Sequence, residues 1–121
     1  MQTDAPSPQM IQGQLTSLKV SYANAVLALH AHIDTARAAQ DTARVAALAQ
    51  ARIELIESGL QIRRAEIAFR SGQSLNSDIT QLKALTREAQ KISRRIEQAE
   101  ETLAAVARTI NLLSRLVALF S

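Results

Sequence analysis

From Gln9 to Phe120 apolar residues recur three and four apart almost without interruption. That spacing places them on one face of a helix. The downstream half does so in strict heptads. Positions a are Leu75, Leu82, Ala89, Ile96, Leu103, Ile110 and Val117; positions d are Asp78, Leu85, Ile92, Ala99, Val106, Leu113 and Phe120. Asp78 is the one polar member, at a helix start where its charge suits the dipole. A seven-residue repeat of this length predicts one helix over about 77–120, supercoiled left-handedly on a partner helix.

The upstream half is less regular. Leu15, Leu18, Tyr22, Ala25, Leu29, His32, Ala36, Ala39, Ala43 and Ala46 follow one stripe. Ala49, Ile53, Ile56, Leu60 and Ile67 follow another, flanked by Leu48, Leu55, Ile62 and Phe69. Ser7-Pro8 is a helix start, because Ser caps free N–H groups and Pro needs no partner at the first helical position. No proline follows before Arg70. Gly72 suits the left-handed conformation that ends a helix, and Ser74 or Asn76 suits the cap of the next.

The fold class this predicts is all-α: a long antiparallel coiled-coil hairpin, with helices over about 8–70 and 77–120. Asp34-Thr35 and Asp41-Thr42 each offer a fresh cap, so a break near 34–41 would give a three-helix bundle instead. Residues 1–6 read as a disordered tail and 7–121 as a single helical domain. Gly59 lies deep inside the first helix, either a place of close helix approach or a tolerated weak spot.

Composition supports this reading. Ala, Leu, Ile, Gln, Arg and Glu dominate, as in long helices, and Tyr22, Phe69 and Phe120 are the only aromatics. The net charge of +3 permits anionic partners without demanding them. With no cysteine, disulfides, thiolate metal sites and cysteine nucleophiles are excluded. The start, MQTDAPSPQM, has neither a basic region nor an early apolar run, so a cytoplasmic location is the expectation.

Candidate chemistry is sparse. Gly-rich phosphate loops, nucleophile elbows and paired Glu-x-x-His motifs are absent from the sequence. His30 and His32, two apart, point to different helix faces: His32 into the apolar stripe, His30 towards Asp34 one turn on. In a hairpin Glu54 would meet Lys91, and Glu100 and Glu101 would meet Arg44, as solvated ion pairs. Neither a catalytic site, nor a cofactor, nor a small-molecule substrate is expected.

The basic cluster Lys83, Arg87, Lys91, Arg94 and Arg95 is a candidate anion-binding row. No aromatic interleaves it for base stacking. The end of the chain, NLLSRLVALFS, adds Leu112, Leu116 and Leu119 beside the a/d seam. Arg108, Asn111 and Arg115 interrupt it, so it is too polar to span a bilayer, although an interfacial helix has this form. In a two-helix hairpin these leucines and Phe120 lack cover, as do Leu15, Leu18 and Tyr22. They are therefore the expected protein interface. The functional expectation is a non-enzymatic helical interaction protein, of adaptor, chaperone or scaffold type, that forms a homo-oligomer (a dimer first) and docks a protein partner. The alternatives are a binder of anionic membrane surfaces through the C-terminal helix and a nonspecific nucleic-acid binder through the Lys83–Arg95 cluster.

Overall fold

The computed structural model describes residues 7–72 and 79–120. They form four helices: α1 (Pro8–Ala38), α2 (Thr42–Arg70), α3 (Ile79–Glu97) and α4 (Thr102–Ala118). The all-helical class stands. The Ser74 and Asn76 caps, and the start of the last long helix at 77, lie outside the described residues.

Helix α1 begins as its sequence dictates, with the Ser7 hydroxyl accepting from the Met10 N–H at 3.2 Å and Pro8 in the first turn. It does not continue to Arg70. The chain turns at 39–41, inside the window where Asp-Thr pairs offer caps. The second pair is the one used: Asp41 Oδ1 accepts from the Arg44 N–H at 3.1 Å. Asp34 and Thr35 stay helical, with Asp34 3.7 Å from Arg37 and the Thr35 hydroxyl donating to the Ala31 carbonyl.

The long heptad helix breaks as well, at 98–101, which its unbroken apolar phase does not foretell. Three helix ends share one solution. At Gln40, Gly72 and Ala99 the backbone is left-handed, with φ of 56°, 86° and 58°. Around Gln40 the next N–H, of Asp41, bonds the Ala36 carbonyl, and that of Gln40 bonds Arg37. Around Ala99 the same pair of bonds runs from Glu100 to Arg95 and from Ala99 to Ile96. These satisfy carbonyls that the helix end would leave bare. Glycine does this without steric cost at Gly72 alone.

Two hairpins, α1–α2 and α3–α4, lie side by side. Helix α1 packs on α2 and α3, and α4 packs on the same two, so α1–α4 and α2–α3 are the diagonals. The two turns share one end of the bundle, where His32 Nε2 bonds the Ile96 carbonyl. At the other end Phe69 and Phe120 meet edge to face, 6.4 Å apart. Helices α1 and α3 therefore run parallel, as do α2 and α4. The core is a single cluster running through Leu15, Leu29, Leu55, Ile62, Leu82, Ile96, Leu112 and Leu116, with each fully buried side chain contributing about 1.5–3 kcal/mol.

Candidate protein-interaction surface

The four-helix arrangement relocates most of the residues expected to face a partner. Leu15, Leu18, Leu112, Leu116 and Phe120 are buried in the chain's own core, and Tyr22 and Leu119 pack against it partly covered. The expectation that they await another protein is thereby corrected. In a two-helix hairpin they had no cover; the breaks at 39–41 and 98–101 bring in two more helices that supply it. The break at 98–101 also frees α4 to rotate. Its buried side carries Ala105, Thr109, Leu112 and Leu116 beside the d residues Val106, Leu113 and Phe120, while Leu103, an a residue, is exposed. Leu112, Leu116 and Phe120 are turned inward, while Leu103 is exposed and Ile110 and Val117 are partly covered; no helix among the described residues is long and apolar enough to cross a membrane.

The two histidines have local roles. His32 is half-buried against the Ile96 carbonyl, as its place on the stripe implies. His30 meets Arg52 instead of Asp34: the guanidinium donates to Nδ1 at 2.9 Å across the α1–α2 seam. No group of three or more possible metal-ligating side chains exists among the described residues. Glu54 does not reach Lys91, since α2 and α3 are diagonal; it accepts from Gln50 at 3.3 Å.

Gly59 is a place of close approach. The Tyr22 ring lies across it, and the Tyr22 hydroxyl donates to the Ile56 carbonyl at 3.2 Å. A Cβ at position 59 would stand 2.7 Å from Cζ of that ring, closer than real contacts allow. The same packing raises the Tyr22 pKa above its ordinary value of 10.0, because burial disfavours the phenolate. Two turns further along α2, Glu66 is buried and meets Lys19 Nζ at 3.1 Å and Arg70 at 3.9 Å.

What remains outside is informative. On α2, Leu48, Leu55 and Ile62, read as a flanking stripe, form the buried side. The other stripe, Ile53, Ile56, Leu60 and Ile67, faces away from the bundle. Val20 and Leu27, seven residues apart, do the same on α1. These six are 49–65% exposed. Each sits opposite the buried side of its own helix, and Val20 also lines the groove between α1 and α3, beside Gln90 and Arg94. On α2 the spacing 53, 56, 60, 67 with Ala49 before it is that of a heptad seam. Glu57 and Arg64 border this seam, and neither forms an ion pair among the described residues.

The other layer is charged outside. Arg87, Lys91, Arg94 and Arg95 are exposed and Lys83 is half-exposed on the outer side of α3, and none of the five forms an ion pair among the described residues. Glu88 is engaged by Arg115 of α4 at 3.3 Å. The five cations expected as an anion-binding row thus all lie on α3, upstream of the break at 98–101. No family model matches this chain, and neither a curated protein nor a solved structure is similar to it.

Proposed function

We propose that this chain is a non-enzymatic interaction module that docks a helix of another protein molecule against the outside of α1–α2. One observation carries the reading: the α2 seam Ile53, Ile56, Leu60 and Ile67 keeps coiled-coil spacing while exposed to solvent. These four half-exposed branched residues amount to roughly 400 Å² of apolar surface, within the range of the largest patches that soluble monomers show and about half of one side of a stable interface. An adaptor or scaffold role fits such a surface on a four-helix bundle.

The test is a photo-crosslinking amino acid placed at Leu60 and, as control, at Ala107 on the outside of α4. The module reading expects protein adducts from position 60 in cells, and few from position 107. An absence of adducts at 60 sinks it.

A second reading keeps the outer row of α3 as an anion surface for nucleic acid, favoured by five cations that form no ion pair among the described residues. Phosphate contacts of this kind weaken steeply with salt. A gel shift at low salt that survives Arg87→Glu/Arg94→Glu unchanged removes it.

A further inference from the structure

We infer that the occupant of the α2 face is a second copy of this chain, bound through a two-fold axis near Leu60 with the two α2 helices antiparallel. This rests on the interaction-module reading and names its partner. The argument is the order of charge along the exposed side of α2. Acids come first, at Glu54 and Glu57, and bases follow, at Arg63 and Arg64. All four are exposed, and none of them forms an ion pair among the described residues.

Such an edge is its own complement when turned end for end. Glu57 and Arg64 are seven residues apart, about 10 Å along the helix. Antiparallel pairing centred near Leu60 brings each Glu57 to the Arg64 of the other copy, and the reverse. Parallel pairing would put Glu57 of one copy and Arg64 of the other on opposite sides of the seam, where they could not pair.

The apolar residues obey the same symmetry. Ile53 and Ile67 are each seven residues from Leu60, so the two-fold axis puts Ile53 of one copy towards Ile67 of the other. Leu60 then meets Leu60. The isologous arrangement is the usual form of a homodimer. Arg63 occupies the remaining seam position between Leu60 and Ile67, where its stem is long enough to cover apolar surface while its guanidinium stays in water. By contrast, the outside of α3–α4 is no candidate for self-pairing, because its cations would face cations.

Native mass over a dilution series tests this, using the full chain. The wild type is expected at twice 13.2 kDa, and Leu60→Glu at the monomer mass with unchanged helical circular dichroism. Leu103→Glu, on the opposite layer, should leave the dimer intact. Glu57→Arg alone should weaken dimerisation roughly tenfold, and adding Arg64→Glu should restore it. A wild-type monomer at every concentration overturns the proposal, as does a dimer indifferent to Leu60→Glu or lost in Leu103→Glu. A dimer that the double charge reversal fails to restore overturns the antiparallel arrangement. A monomer whose position-60 probe crosslinks to a different chain leaves the module reading standing and removes self-pairing alone; no adduct at all removes both.

Discussion

The outside of α1–α2 and the outside of α3–α4 are built from the same kinds of residue and end up opposite in character. The first exposes Val20, Leu27, Ile53, Ile56, Leu60 and Ile67; the second exposes Arg87, Lys91, Arg94, Arg95 and Arg108, with Leu103 its one large apolar residue. The difference lies in how many apolar stripes each helix carries. Helix α3 has one, and the core consumes it: Leu82, Leu85, Ala89, Ile92 and Ile96 all point inward. Helix α2 has two. The bundle needs only Leu48, Leu55, Ile62 and their neighbours, so the second stripe is surplus to folding and open to another molecule.

The largest effect should come from testing which leucines belong to the core. Leu116→Ala is expected to cost about 2–5 kcal/mol in urea denaturation, as a cavity in a packed core does. Leu60→Ala, read as a monomer, should cost no more than about 0.5 kcal/mol, as surface changes do. Comparable losses would erase the contrast between the two sites.

Next in size is the Tyr22–Gly59 contact on the apolar layer. Gly59→Val should cost about 1–3 kcal/mol by overpacking, and much of that cost should vanish in a Tyr22→Ala background. An equal cost in both backgrounds would mean that the ring does not constrain position 59.

The turns come third. Gln40 and Ala99 hold left-handed backbone that costs a side-chain-bearing residue about 1 kcal/mol. Gln40→Gly and Ala99→Gly should each raise stability by up to about that amount, because neither position is inside a helix. A loss at either would show that the turn differs from the one described.

Tyr22 also gives a pH signature. Its folded pKa is raised above the ordinary 10.0, so its contribution is fully present below that pH and is lost as pH rises through the folded value. The melting temperature should therefore fall more steeply above about pH 10 in the wild type than in Tyr22→Phe. Parallel curves would contradict burial of the phenol. The smallest effect belongs to the charged layer: the half-exposed Arg115–Glu88 pair should be worth no more than about 1 kcal/mol and fade in salt, measured by Arg115→Gln unfolding with and without salt.

Much of the fold was legible where a local chemical device marks it. Ser7-Pro8 starts a helix, Gly72 ends one, and Asp41-Thr42 restarts the chain at the turn. The break at 98–101 carried no such mark. Ala99 takes the role usually given to glycine, Glu101 enters α4 with φ of 46° and no side-chain cap, and the buried Thr102 hydroxyl finds no partner among the described residues. Heptad phase continues through all of these residues, so pattern alone argued for continuity. That one miss displaced the candidate site. With α4 treated as the end of a long coiled coil, Leu112 and Leu116 looked exposed; with α4 folded back and rotated, they are core.

The sequence by itself determined that this chain is helical, that its helices are amphipathic, and that α2 bears two apolar stripes. Only the tertiary structure decided which stripe faces inward. A helix that is apolar on both sides has no preferred burial direction of its own, and neighbours supply it: α1 and α4 close on the side of Leu55 and Ile62. Gly59 helps set the choice, since the Tyr22 ring can lie against α2 only where no Cβ stands in its way. Ile53, Ile56, Leu60 and Ile67 face outward as the consequence.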